Sequence, residues 1–197
     1  DYVVSKFARF PFDKFPNADR HLGTQMKATG EIMSIGRNFE ESFLKAVRSL
    51  EMKADHIYKK ELVGLTKEEL LEKIKKCDDE RIFAVTQWLR DGYDMETIHN
   101  VTKMDNFFLC HLSRIISLEK LMMENPKDVE VLRKLKKYGF ADSYIARNWD
   151  MKEFDFPQGK VTVAQVNVMN GEAAKAKWPE LQKALQAMVD GGEADTS

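Results

Sequence analysis

Cys110 and His111 stand side by side in FFLCHLSRI, the one place in the chain where a thiol and an imidazole are neighbours. Thiolate chemistry needs the base to face the sulfur. Consecutive residues on a helix project about 100° apart, so this pair is read as non-catalytic. His21, His56 and His99 are scattered, and Cys77 and Cys110 have no metal-ligand spacing, so the four histidines are read as structural or surface residues. Asp78, Asp79 and Glu80 could be a ligand cluster. Placed directly before the apolar run that starts at Ile82, they read instead as the acidic N-terminus of a helix. Glycine-rich phosphate loops, G-x-S-x-G, H-E-x-x-H and C-x-x-C are all missing from the sequence. No catalytic, cofactor-binding or metal residue is therefore assigned. Glu31, within TGEIMSIG, has small and apolar neighbours and must reach water, a partner or a polar cavity.

The elements that would position these groups change character near residue 38. Before it lie two strands, DYVVSKFARF and EIMSI, the second read as short and buried and bracketed by Gly30 and Gly36, with Pro11 and Pro16 between them. After it, helix starts recur. Asn38 with Glu41 and Thr66 with Glu69 have capping-box spacing, and Asp94 and Asp105 precede two more helices. The apolar stripes are Phe39, Phe43, Val47 and Leu50, then Leu70, Leu71 and Ile74, then Ile82, Phe83 and Leu89. A longer one runs through Phe108, Leu112, Ile115, Ile116 and Met122, followed past Pro126 by Val129, Leu132 and Leu135. Gly92 and Gly139 are placed to end helices, and a last short helix follows Asp142. The charged run from Glu68 to Lys76 reads as a solvated helix face.

The fold class expected is mainly α: about seven short helices over residues 38–150, preceded by a short β segment over residues 1–37. Two strands alone are marginal, so the segment is expected to be the edge of a larger sheet whose other strands lie upstream. The chain opens on Asp1 rather than Met, which fits a piece of a longer protein.

With 197 residues, 43% hydrophobic and 32% charged, the chain can bury a substantial core. A net charge of −1 gives no general field for nucleic acid or an anionic membrane, and no apolar stretch is long enough to span a bilayer. No nucleic-acid or membrane partner is expected, and a reducing cytoplasm fits the two cysteines. One rival pattern exists. DMETIHNVTKMDNFFLCHLSRI has the rhythm of a helix-turn-helix, but FFLCHLSRI offers a single Arg to address bases or phosphates.

The order DYVVSKFARF, TQMKATGEIMSIGRNFEESFLKA, DDERIFAVTQWLRDGYDMETIHNVTKMDNFFL and LRKLKKYGFADSYIA resembles the carbamoyl-phosphate synthetase large chain over residues 1 to about 149. It is similar there to the end of the first ATP-grasp half followed by the helical oligomerisation domain. The resemblance implies an ATP-dependent ligase that makes carbamoyl phosphate from bicarbonate and glutamine-derived ammonia for pyrimidine and arginine synthesis. It implies ATP and magnesium (or manganese) for the complete enzyme, none held by this chain, with self-association and a glutaminase small subunit as partners. By the same resemblance, Met26 and Glu31 would line the internal passage for unstable intermediates. Trp88, Phe107, Phe108, Met122 and Met123 are the candidates for the oligomer interface.

After Trp149 the likeness stops. Residues 151–197 are expected to hold a weak strand around Val161–Val168 and an amphipathic helix in WPELQKALQAMV. Two function classes follow: a fragment of the ligase with a linking and assembling role, or a freestanding helical interaction module.

Overall fold

The structure is a computed structural model that describes residues 1–12, 14, 15, 17–50 and 54–151. The described residues belong to one compact unit. The expected strand and helix of the tail lie outside them.

Two strands, β1 (Val3–Arg9) and β2 (Gly30–Gly36), pair antiparallel with Ser5 opposite Ser34 and Phe7 opposite Ile32. The two-residue period of a strand puts Val3, Ser5, Phe7, Ile32, Ser34 and Gly36 on one face. That face packs on helix α1 (Phe39–Ser49), and small residues make the approach possible. Ser42 of α1 donates to Ser5 Oγ at 2.8 Å and to the Ser34 carbonyl at 3.1 Å. A Cβ on Gly36 would sit 2.6 Å from the Ser42 nitrogen, so no larger residue fits there. The opposite face carries Val4, Met33 and Ile35, all exposed. EIMSI is therefore a half-covered strand and not a buried one, because α1 packs on one face of the hairpin and leaves Val4, Met33 and Ile35 on the other exposed among the described residues.

The helices begin where local chemistry places them. Asn38 Oδ1 accepts from the Glu41 nitrogen at 2.9 Å to start α1, while the Glu41 carboxylate takes the Arg37 nitrogen at 2.8 Å. Thr66 and Glu69 form the full reciprocal box at the start of α2 (Lys67–Lys75). Helix α3 (Arg81–Arg90) follows, and its buried residues run round the whole helix from Phe83 to Leu89. Asp94 caps α4 (Met95–Thr102), Asp105 caps α5 (Asn106–Glu124), and Asp128 caps α6 (Val129–Lys137). The last described helix is α7 (Asp142–Asn148).

Helix α5 is the spine on which α1, α3, α4 and α6 pack, through Leu109, Leu112, Ile115, Ile116, Leu118 and Met122. Trp149, just after α7, donates from Nε1 to the Met122 carbonyl at 2.8 Å and closes the bundle over the end of α5. Gly139 ends α6 at φ 85°, and a Cβ there would lie 2.7 Å from Glu41 Cα, so the turn and the close approach to α1 both demand glycine. Val129 is expected inside and is exposed; Phe108, placed both on the apolar stripe of α5 and among the interface candidates, is exposed as well. Each sits in the first turn of its helix, which projects past the neighbours that cover the later turns.

Candidate functional site

The most concentrated chemical surface is a groove of about 680 Å³ along β1. One wall is the strand itself, residues Val3 to Phe7, and the other is built by Asn38, Phe39 and Phe43 of the α1 region with Phe107, Phe108 and His111 of α5. Phe39 is the centre of the aromatic wall. Its ring lies 5.5 Å from Phe43, 5.9 Å from Phe107, 5.8 Å from Phe108 and 4.9 Å from His111. These stacked, tilted and edge-on rings form an apolar wall suited to receiving apolar side chains.

Behind that wall, His111 Nδ1 lies 2.8 Å from Glu40 Oε1, which Arg114 also approaches at 3.1 Å. Glu40 is fully buried, and its other oxygen has no hydrogen-bond partner among the described residues. Its place in the first turn of α1 offsets part of that cost through the helix dipole. Cys110 is exposed, while His111 turns to Glu40, so the two neighbours diverge as helix geometry requires.

A second polar cluster is buried in the bundle. Arg90 grips Glu119 with both carboxylate oxygens engaged, Nε to Oε2 at 2.6 Å and Nη2 to Oε1 at 2.8 Å, and Nη2 also donates to the Ile57 carbonyl. His56 Nε2 stands 2.7 Å from Glu119 Oε1, its ring stacked on Tyr144 at 3.9 Å. Burial raises the Glu119 carboxyl, but the bonds from Arg90 and His56 outweigh it and hold the group below the usual carboxylate range. Burial likewise pushes the Tyr144 phenol up.

For His56, burial drives the imidazole below its ordinary 6.5, against the upward pull of Glu119; Arg90 lowers it further and Asp55 raises it. The folded state therefore holds this proton less tightly than the unfolded chain does. Its contribution to stability is complete above about pH 6.5 and is lost as the pH falls from there toward the depressed folded value. His56→Gln is expected to flatten the decline in unfolding free energy just below pH 6.5. Denaturant titrations across that range with an unchanged slope would remove His56 from the account.

Sequence spacing held signals for both clusters. Glu40 lies on the apolar stripe of α1 with Phe43, Leu44 and Val47, and Glu119 fills the gap between Ile115 and Met122 on α5. A carboxylate at a core position implies a buried partner.

The other singled-out residues divide clearly. Trp88 and Met122 are 0% exposed, which corrects their placement at an interface: both are core, Trp88 because α3 is enclosed all round and Met122 because Trp149 covers it. Phe107 is 56% exposed, Phe108 45% and Met123 52%. Met123 lies about 24 Å along α5 from Phe107, so the three do not form one patch. Met26 is 83% exposed. Glu31, on the outer face of β2, pairs with Lys6 of β1 at 2.6 Å.

Asp79 receives Arg20 on both oxygens, Glu80 receives Lys59 and Arg20, and Asp78 accepts from the Glu80 nitrogen, so this acidic run ties two loops to the start of α3. His99 Nδ1 meets the Met104 carbonyl at 2.7 Å, and His21 is exposed. Among the described residues no group of three or more His, Cys, Asp or Glu could hold a metal ion. No described helix is long and apolar enough to cross a membrane.

Among the described residues, seven helices with a small hairpin docked on them and an aromatic groove along β1 define a mainly helical domain. Residues 31–162 match the family described as carbamoyl-phosphate synthetase large chain, oligomerisation domain, and the chain belongs to that family. The match includes β2 and every helix described above, and it continues past Trp149, where the resemblance read from the sequence stopped.

Proposed function

We propose that this chain is the linking and assembling part of a carbamoyl-phosphate synthetase large chain and that it self-associates. The observation that carries the reading is the family's oligomerisation domain coinciding with exposed, mutually packed Phe107 and Phe108 at the mouth of an apolar groove. An exposed aromatic cluster of this kind becomes the desolvated core of an association surface once a partner covers it. In this reading the complete enzyme performs ATP-dependent synthesis of carbamoyl phosphate from bicarbonate and glutamine-derived ammonia in the cytoplasm, with a glutaminase small subunit as partner.

ATP and magnesium would be held by the complete enzyme, and no chemical step is assigned to the described residues. The hairpin would be the edge of an ATP-grasp sheet, a reading supported by the exposed Val4, Met33 and Ile35 on its uncovered face. Glu31, paired to Lys6 at an exposed position, would present a polar wall to an intermediate passage, and the exposed Met26 would add a thioether that offers no nucleophile.

Light scattering over a broad dilution series is expected to show the mass falling from an oligomer toward a monomer. Phe107→Asp is expected to shift that transition at least tenfold to higher concentration, about 1.4 kcal/mol of association, without loss of helicity. A mass that stays monomeric at every concentration would contradict self-association of this chain.

A further inference from the structure

We propose that residues 54–57 are a proton-sensitive clasp, and that protonation of His56 releases α7 while the helices around α5 stay folded. The device lies in the interior of the bundle and is independent of self-association.

Three consecutive residues of a segment with no helix or strand hold three helices. Asp55 takes Ser143 Oγ at 3.0 Å and the two Arg147 Nη atoms at 2.9 Å, His56 Nε2 meets Glu119 of α5 at 2.7 Å, and the Ile57 carbonyl accepts from Arg90 of α3 at 2.8 Å. The His56 ring also stacks on Tyr144, so α7 is gripped at two points from this one segment. Seven residues are too few for a helix to persist unsupported. Helix α5, by contrast, has its own contacts with α1, α3, α4 and α6 and does not need α7 to stay in place.

The vulnerable atom is His56 Nδ1, which is buried and has no hydrogen-bond partner among the described residues. An imidazolium carries a hydrogen on both nitrogens, so protonation leaves an N–H at Nδ1 with no acceptor, whichever nitrogen held the proton before. A buried donor without an acceptor is costly. The new charge also stands beside Arg90, which already engages both oxygens of Glu119. Opening the segment returns the ring to water and removes both costs.

The charged and titratable groups around the ring are Asp55 from its own segment, Glu119 of α5, Arg90 of α3, and Tyr144 of α7 with Arg147 over its face. Against burial, the bonds from Arg147 and Ser143 hold Asp55 below the usual carboxylate range, as those from Arg90 and His56 hold Glu119, while burial pushes the Tyr144 phenol up. Of this set, only His56 changes charge between about pH 7.5 and pH 5.5.

Hydrogen exchange of the full chain, read by mass spectrometry and corrected for the intrinsic rate at each pH, compares residues 141–149 with residues 109–122 of α5. At about pH 5.5, one unit below the ordinary imidazole value, a released ring is mostly protonated, and opening is favoured about tenfold over about pH 7.5. Protection of 141–149 is expected to fall by that factor while 109–122 is unchanged. His56→Gln keeps an amide to meet Glu119 and takes up no proton, so it should show no fall. Asp55→Asn weakens the other grip without altering the ring, and should lower protection of 141–149 at both pH values while keeping the fall between them. An equal fall in both segments, no fall in either, or the same fall in His56→Gln overturns the clasp. The comparison of the two segments in the unaltered chain stands even if a variant does not fold.

Discussion

Glu119→Ala is expected to lower the unfolding free energy by about 3–5 kcal/mol, the loss typical when one member of a buried ionic group is removed. The carboxylate is the only described partner of the Arg90 Nε and the anchor for His56 Nε2, and both donors are buried among Phe140, Tyr144 and the α3–α5 contact. Alanine would leave a guanidinium and an imidazole in an apolar space with no answering charge. Urea denaturation followed by circular dichroism measures the effect. A loss below about 1 kcal/mol would mean that water or rearranged side chains replace the carboxylate. The triple replacement His56→Leu, Arg90→Met, Glu119→Leu should recover much of the loss, because an apolar filling escapes the desolvation cost that the ionic group must overcome. Failure to recover would show that Arg90's bond to the Ile57 carbonyl matters more than the charge pair.

Trp88→Ala is expected to cost a similar amount, about 3–5 kcal/mol, from lost burial and the cavity left behind. Trp88 is fully enclosed, packs on Tyr93 at 4.7 Å, carries Lys67 over its ring, and donates from Nε1 to the Asp94 carbonyl at 2.8 Å. One side chain thereby holds α3 to the start of α2 and to the cap of α4. The variant distinguishes core from interface directly: Trp88→Ala should move the denaturation midpoint, whereas Phe107→Asp should move the association equilibrium. A Trp88 variant of normal stability but weakened association would restore this residue to the interface. Trp88→Phe should keep most of the packing and lose the bond to Asp94, with an intermediate cost.

The aromatic residues show where reading along the chain succeeds and where it stops. Asn38, Thr66, Asp94 and Asp105 each bond a backbone nitrogen two or three residues ahead, and such local chemistry is visible in the order of residues alone. Trp88 and Phe107 are both large, aromatic and helical, yet one is sealed and the other stands in solvent. Periodicity identifies a stripe but not how far along the helix a neighbour covers it. Val129, in a first turn, fell on the wrong side for that reason, while Phe108 stands exposed as an interface candidate would. Glu119 and Glu40 interrupted two apolar stripes, a legible sign of buried pairing, but the partners lie 29 and 71 residues away and no spacing rule names them.

What the sequence by itself determined is the succession of a strand pair and about seven short helices, most of them capped, and the family to which their order belongs. Caps, turns and stripes are set by neighbours within a few residues, so they survive without knowledge of the rest of the fold. Only the tertiary structure decided that Arg90, Glu119 and His56 meet in the core, and that Phe39 gathers four rings in a groove along β1. Those arrangements depend on which surfaces the packed helices cover, a property of the whole chain.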